Sequence, residues 1–111
     1  MASYAELVTS LYDFERATYN RVKARLEDLP EAKREPFRQE AWTSNAKARA
    51  AIGVVALLSA SPDLHSQFDG VRRRIGDLND AVTQQDLLEN HESILRALEG
   101  ALMRAKEELT S

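Results

Sequence analysis

The stretch "AAIGVVALLSASPDL", residues 50–64, decides the fold class, because it is the most apolar run in a chain of which 30% of the residues are charged. A helix that crosses a membrane needs about 20 consecutive apolar residues. Only 11 residues lie between Arg49 and Ser61, so we expect no membrane span. The run is therefore either a buried strand or a buried helix.

Composition and flanking residues favour the helix. Six of the eleven positions from 46 to 56 are alanine or glycine, which form strands poorly. No alternation of strands with helices surrounds them. The run ends at a pattern that begins a new helix, with Ser61 as the N-cap, Pro62 as the first helical residue and Asp63 at the positive end of the helix dipole.

The whole chain has the composition of one helical domain. It has 111 residues, few turn residues and no cysteine. The lack of cysteine excludes a disulfide framework, a thiolate zinc site and a cysteine nucleophile. The N-terminal residues include acids and tyrosines where a signal peptide has its apolar segment. We therefore expect a cytoplasmic protein with a single domain over residues 1–111.

Helix 1 is expected to begin at Ser3 and to end at a proline. Ser3 and Glu6 have the spacing of a capping box, in which each side chain bonds the backbone N–H of the other residue. Apolar residues from Tyr4 to Leu29 then form a broad arc that is wide enough to contact two other helices. Pro30 either stops this helix or starts the next segment.

Two prolines, six residues apart, separate helix 1 from helix 2. We interpret "LPEAKREPFRQE", residues 29–40, as a connector, and expect helix 2 to run from Pro36 to about Ala60. The sequence "TSN" at 43–45 predicts a bend or break in this helix, because these side chains compete for backbone hydrogen bonds.

Helices 3 and 4 carry the apolar spacing of left-handed helix packing. In helix 3 this seam comprises Leu64, Phe68, Val71, Ile75, Leu78 and Val82. In helix 4 it comprises Leu88, His91, Leu95, Leu98, Leu102, Ala105 and Leu109. The two seams do not share a phase, so we expect a turn within "NDAVTQQD", residues 79–86, where Thr83 and Asp86 are cap formers. The sequence thus predicts an all-α, antiparallel bundle of four helices, or of three if helices 3 and 4 are continuous.

His91 is the one residue with a possible chemical role. Histidine phosphotransfer domains are helical bundles of similar length, but they place Lys or Arg three or four residues after the histidine. Ile94 and Leu95 occupy those positions here, which favours a core or boundary histidine. Glu89 and Glu92 lack the Glu-x-x-His spacing of carboxylate metal sites. We therefore expect no metal, no cofactor and no enzymatic activity.

Arg72, Arg73 and Arg74 form a short basic run. A basic run of this kind is typical of nucleic-acid-binding proteins. Asp69 and Asp77 lie close by in the sequence, and the net charge of the chain is −3. A salt-bridged surface is therefore the preferred interpretation, and nucleic acid is not the expected partner.

Trp42 is the only tryptophan, and it lies about 100° away from the apolar face of helix 2. It shares a stripe of small residues with Gly53 and Leu57, and such a stripe lets another helix approach closely. The stripe is equally compatible with packing inside the chain and with an interface. Tyr12 and Tyr19 on helix 1 complete the candidate interface, because aromatic residues dominate helical interfaces.

Two segments resemble bacterial LemA-type helical proteins. They are "KARLEDLP", residues 23–30, and "LLSASPDLHSQF", residues 57–68, and they occur in the same order. The spacing after "PDL" differs from the family pattern, and its N-terminal membrane anchor is missing. No residue role follows from this resemblance.

These patterns predict a non-enzymatic module that binds protein through apolar helix faces, such as an adaptor, a chaperone-like binder, an inhibitor or an assembly subunit. The apolar arcs of helices 1 and 2 are wider than the narrow seam that would be enough for packing within a monomer. We therefore expect a homodimer or larger assembly. The alternatives are histidine phosphotransfer through His91 and nucleic-acid binding through Arg72–Arg74.

Overall fold

Four α-helices and one short 3₁₀ turn make up the structure, a computed structural model. It describes residues 2–58 and 63–110, with side chains over residues 4–58 and 63–107. The helices are α1 Ala2–Leu26, α2 Glu31–Leu58, α3 Asp63–Gly76 and α4 Gln84–Thr110, and the 3₁₀ turn is Asp77–Asp80. These ranges contain no strand, and the predicted all-α helical bundle is confirmed.

Side-chain contacts show that α1 and α4 run antiparallel. The hydroxyl of Tyr4, at the start of α1, donates to the carbonyl oxygen of Leu102 near the end of α4 at 2.8 Å. Farther along α1, Glu15 meets His91 near the start of α4. Short connections give the same orientation to α1 and α2 and to α3 and α4.

Helix α1 is the central element of the bundle. It packs most extensively against α2 and also contacts α3, α4 and the 3₁₀ turn, whereas α2 and α4 do not contact each other in the described ranges. The molecule is therefore an elongated layer of 48 × 24 × 18 Å. The face of α2 that points away from α1 and α3 stays uncovered.

The core lies where the inner faces of the four helices meet, and its members come from every helix. The largest fully buried apolar side chains are Phe68, Leu7, Leu11, Leu64, Ile75, Leu78, Leu87, Leu98 and Val22. Ala48 and Ala105 are also fully buried, which lets α2 and α4 lie close to their neighbours. The seam predicted for helix 3 from Leu64 to Leu78 is confirmed as its core side, because Leu64, Phe68, Ile75 and Leu78 are buried.

The end of α1 is a Schellman turn. The amide of Leu29 donates to the carbonyl of Ala24 and the amide of Asp28 to that of Arg25, at 3.1 and 3.0 Å. Asp28 has a φ of 55°, in the left-handed region that this motif requires at its first residue beyond the helix. Pro30 then starts the next segment, because its carbonyl accepts from the amides of Lys33 and Arg34 in the first turn of α2.

The predicted connector is wrong between Pro30 and Pro36, because helix 2 begins five residues before its predicted start at Pro36. Helix α2 begins at Glu31 and contains Pro36 in its second turn. A proline inside a helix costs about 3 kcal/mol because it removes one backbone bond and crowds the preceding turn. Here the carbonyl left without a donor belongs to the exposed Ala32, and Arg38 bridges this turn by pairing with Glu31 and Glu35.

No break occurs at residues 43–45, because α2 is continuous to Leu58. Ser44 is buried against the core. The side-chain oxygen of Asn45 accepts a 2.9 Å hydrogen bond from Nη1 of Arg72 on α3. Asn45 therefore bonds a neighbouring helix, and its side chain does not compete for the backbone of α2.

The predicted turn between helices 3 and 4 is confirmed. Helix α3 passes into the 3₁₀ turn, Ala81 is extended, and α4 begins at Gln84. Oγ1 of Thr83 accepts a 3.0 Å hydrogen bond from the amide of Asp86, so Thr83 caps α4 as predicted. Val82 lies in the turn and is 74% exposed, so its assignment to the helix 3 seam is wrong.

The predicted seam of helix 4 is rotated slightly from the observed one. Leu88 is exposed, whereas Leu87 and Ile94 are buried. The observed seam keeps three predicted positions and is formed by Leu87, His91, Ile94, Leu98, Ala101 and Ala105, with Leu102 beside it. Leu87 and Leu88 are consecutive and fit either phase, and packing into the core selects Leu87.

Several predicted positions fall on residues whose positions or side chains are not described, among them the predicted end of helix 2 at about Ala60. Helix α1 begins at Ala2, one residue before the predicted cap at Ser3, whose side chain lies outside the described residues. Ser61 and Pro62 also lie outside the described residues, and α3 is described from Asp63. The side chain of Leu109 is likewise outside them.

Candidate interaction surface

The outer side of α2 carries the largest concentration of exposed apolar groups. Among the described residues, eight large hydrophobic side chains are exposed, and four of them belong to this helix: Trp42, Val54, Leu57 and Leu58. Residues four apart form one row along a helix. We call the row Trp42, Ala46, Ala50, Val54 and Leu58, with Leu57 beside it, the outer ridge.

Every member of the outer ridge is exposed. The middle of the ridge lies opposite the core side of the helix, whereas Trp42 and Leu58 lie on its two flanks, about 120° and 80° from Ala48. At 100° per residue, Ala50 points about 160° away from Ala48, which is fully buried. The ridge is therefore a second apolar surface and not the margin of the core. It extends over about 24 Å from Trp42 to Leu58 at 1.5 Å per residue.

A groove between α1 and α2 adjoins the ridge. It has a volume of about 550 Å³ and shares Ala50 and Val54 with the ridge. Its other wall is formed by α1, with the short side chains of Ala5, Thr9 and Ser10 and the acidic side chains of Glu6 and Asp13. Ridge and groove together form a shaped apolar surface next to a shallow depression, which is the form that receives a helix.

The structure divides the predicted interface residues between two sides of the molecule. Trp42 and Leu57 belong to the outer ridge, with 59% and 87% of their surfaces exposed. Gly53 lies beside them, and an added Cβ would meet no atom within 4 Å, so no described helix of this chain uses the close approach that Gly53 permits. Tyr12 is exposed on α1, and Tyr19 packs on α1 against α4; neither shares this surface.

His91 joins α4 to α1. Its Nδ1 contacts Oε1 of Glu15, and its ring packs against that of Tyr19 with 4.5 Å between centroids. The side chain is 25% exposed, and that of Glu15 is 4% exposed. This geometry is that of a histidine at the edge of the core, and it favours a packing role over phosphotransfer.

Glu15 is a buried acid that the sequence reasoning missed. Burial raises the pKa of its carboxyl, and the hydrogen bond and charge of His91 lower it to a smaller extent. Glu15 follows Leu11 by one turn and precedes Val22 by two, and both neighbours are buried. An acid on such an apolar stripe is the sequence signal that points to a buried polar pair.

No group of three or more metal-ligating side chains occurs in the part of the chain that the structure describes. Glu15 and His91 form a pair without a third ligand close by. The chemistry that this pair supports is a hydrogen bond, or an ion pair when the imidazole is protonated, between two helices.

The three consecutive arginines do not form one surface. Arg72 and Arg73 both contact Asp69, at 2.8 and 3.0 Å, whereas Arg74 donates to Oγ of Ser93 on α4 at 2.6 Å. Asp69 has a lowered pKa, caused first by its hydrogen bond from Arg72. The run is therefore salt-bridged at Arg72 and Arg73, as the interleaved acids predicted.

No helix within the described ranges is long and apolar enough to cross a membrane. Comparison with the curated proteins and with the solved structures found no match. A family model does match, over residues 1–109 of the 111, and it is described as "KilB plasmid transfer protein". Since the match extends over nearly the whole chain, this protein belongs to the KilB plasmid transfer protein family.

Proposed function

We propose that this protein is a non-enzymatic interaction module in plasmid transfer, and that it self-associates through the outer ridge of α2. The role in plasmid transfer comes from the family to which the chain belongs. The observation that carries the interaction role is the outer ridge itself. Monomeric proteins rarely leave a continuous apolar surface of this kind uncovered.

The sizes of the ridge residues favour a second copy of the chain as the partner. Ala50 is the midpoint of the row. When two copies cross there in antiparallel orientation, Trp42 lies at the level of Leu58 of the partner subunit, and Ala46 at the level of Val54 of the partner subunit. Under this two-fold symmetry the large end residues of one copy lie against the large end residues of the other, and the small central residues meet at the crossing point. Interdigitated rows of residues four apart are the commonest form of helix packing.

The exposed leucines supply most of the driving force. Fully burying a leucine side chain stabilises a complex by about 1.5–3 kcal/mol. Leu57 and Leu58 are 87% and 65% exposed, so nearly all of this free energy is available to an association. The small residues at the crossing point let the two backbones approach closely enough to bury them.

Analytical ultracentrifugation of the full chain tests this proposal. We expect a dimer or a larger assembly at tens of micromolar protein. Leu57→Glu places a charge on the ridge, and we expect it to yield monomers whose circular dichroism matches that of the unmodified protein and whose unfolding midpoint is lower only by the lost association free energy. Val82→Glu is the matched control, because Val82 is also highly exposed but lies in the turn before α4.

The proposal fails if the unmodified protein is a monomer at these concentrations. It also fails if Leu57→Glu leaves the assembly intact, or if Val82→Glu dissociates it to the same degree. The third result would show that the dissociation is not specific to the outer ridge.

A further inference from the structure

Six arginines from three helices converge on one side of the molecule, at two adjoining pockets. The first pocket lies between α1, α2 and α3 and has a volume of about 270 Å³. The second has about 170 Å³ and lies between α1, the start of α2 and the turn before α4. Arg21 and Asn79 line both pockets, which makes them one continuous groove. The arginines are Arg21, Arg25, Arg34, Arg38, Arg72 and Arg73.

Most of these arginines are already paired, and the excess charge lies on α1. Arg38 pairs with two glutamates, Arg34 with Asp28, and Arg72 and Arg73 with Asp69. Arg25 donates only to backbone carbonyls. Arg21 has no hydrogen bond or ion pair with any described residue. Two guanidinium groups one helical turn apart, where the pockets meet, therefore lack an acidic partner.

The remaining residues of the first pocket suit a nucleotide. Trp42 lines this pocket. Asn45 and Asn79 also line it, and each uses one end of its amide within the protein, since Oδ1 of Asn45 accepts from Arg72 and Nδ2 of Asn79 donates to the carbonyl of Gly76. Thr18 lies on the floor, is 1% exposed, and has a hydroxyl oxygen without a hydrogen-bond partner. A buried hydroxyl in this state is costly in a pocket with no ligand.

From this juxtaposition we infer that the groove binds single-stranded nucleic acid, with the phosphodiester backbone on Arg21 and Arg25 and one base stacked on Trp42. An aromatic face beside a basic groove is the combination that single-strand binding proteins use. A duplex keeps its bases stacked inside and presents no free base face to Trp42. Trp42 is shared with the outer ridge, whereas Arg21 and Arg25 belong to this groove alone, so variants of Arg21 and of Leu57 distinguish this inference from the proposed self-association.

Sequence position gives no hint of this groove. The basic run Arg72–Arg74 contributes two of the six arginines, because Arg74 turns towards α4. The free charge comes from Arg21, which lies in a segment that also carries acids, and only the packing of α1 between α2 and α3 brings it beside Trp42.

The test uses the full chain and a fluorescein-labelled oligothymidylate of about twelve nucleotides, a length within the range of single-strand binding sites. We expect anisotropy to rise on binding at low salt and the affinity to fall steeply as salt increases. Because Trp42 is the only tryptophan, its own fluorescence reports the stacking, and we expect the oligonucleotide to quench it.

Arg21→Ala is the decisive variant, because Arg21 holds no other part of the protein. We expect it to weaken binding about tenfold or more, the loss of one charge-assisted contact, and to reduce the salt dependence by about 0.7 in its logarithmic slope. Arg96→Ala changes the net charge equally from an exposed position on α4, and we expect unchanged affinity. Leu57→Glu is expected to bind the oligonucleotide at least as tightly as the unmodified protein, because dissociation of the assembly leaves Trp42 uncovered.

Several results would overturn the inference. These are no anisotropy change at low salt, unchanged Trp42 fluorescence while anisotropy rises, and equal losses in Arg21→Ala and Arg96→Ala. Equal affinity for a duplex of the same length would show that no base stacks on Trp42. Equal affinity for polyglutamate would show that any polyanion suffices.

Discussion

Nδ1 of His91 meets Oε1 of Glu15 across the interface of α4 and α1, and so connects residues that are 76 positions apart. Burial raises the pKa of Glu15, because the ionised carboxyl loses its water, and His91 offsets only part of this effect. A raised pKa means that the folded state binds the proton more tightly than the unfolded state. The stability that Glu15 contributes is thus fully present below its unfolded pKa and is lost as the pH rises through its folded pKa.

Glu15→Gln should therefore change the pH dependence of stability. Glutamine is uncharged at every pH, so we expect this variant to gain stability relative to the unmodified protein as the pH rises from the ordinary carboxyl pKa of 4.5 towards neutrality. Urea unfolding at a series of pH values measures the difference. In His91→Leu the carboxyl loses the neighbour that lowers its pKa, and the decline with pH should be steeper. A difference between Glu15→Gln and the unmodified protein that is constant with pH would contradict this account.

Arg25 connects the end of α1 to the turn before α4. Its Nη2 donates to the carbonyl oxygens of Asn79 and Ala81 at 3.0 and 2.7 Å. We expect Arg25→Ala to lower the free energy of unfolding by about 1–2 kcal/mol, because two carbonyls lose a charged donor. Arg16→Ala on the same helix removes only an exposed ion pair with Asp13 and should cost less than about 0.5 kcal/mol in urea unfolding. An equal loss of stability in Arg25→Ala and Arg16→Ala would show that the hydrogen bonds of Arg25 to Asn79 and Ala81 do not stabilise the fold.

Asp28 occupies a backbone conformation that favours glycine. Its φ of 55° costs an L-residue about 1 kcal/mol or more, and glycine avoids this cost. We expect Asp28→Gly to raise the free energy of unfolding by about 0.5–1 kcal/mol, since the ion pair with Arg34 is exposed and contributes little. Asp28→Ala keeps the conformational cost of the positive φ and loses the ion pair with Arg34, so it should lower the free energy of unfolding. Thermal unfolding of both variants checks that the two substitutions change stability in opposite directions.

Thr83 caps the N-terminus of α4. Its Oγ1 accepts from the amide of Asp86 at 3.0 Å, and loss of such a cap costs about 1 kcal/mol. We expect Thr83→Ala to be destabilised by this amount in urea unfolding. Thr43→Ala, at an exposed position inside α2, should be neutral or slightly stabilising, because alanine is the better helix former. The cap assignment is wrong if both variants have the same stability.

Local patterns in the sequence were sufficient for the helices and several of their ends. The spacing from Leu64 to Leu78 places the core side of α3, and Thr83 with Asp86 marks the start of α4, because both depend on residues three or four positions apart. The start of α2 was predicted too late, at Pro36, because that prediction also depended on local sequence alone. The local cost of a proline is visible in the sequence, whereas the exposed carbonyl and the ion pairs of Arg38 that offset it are not.

The candidate sites depended more strongly on tertiary structure. The sequence placed Trp42, Gly53 and Leu57 on one stripe of α2, and the stripe is where it was expected. It left open whether another helix of the same chain covers that stripe. It also grouped Tyr12 and Tyr19 with Trp42, although α1 directs them to another side.

The sequence by itself determined an all-α chain without cysteine, with the turn before α4 and an apolar second side on α2. Helix periodicity and capping are interactions between near neighbours, so they can be seen in a single segment. Only the tertiary structure decided that Glu15 is buried against His91, that the outer ridge is uncovered, and that Arg21 lies beside Trp42. Each of these depends on how α1 packs among the other helices, and that packing is set by the whole core at once.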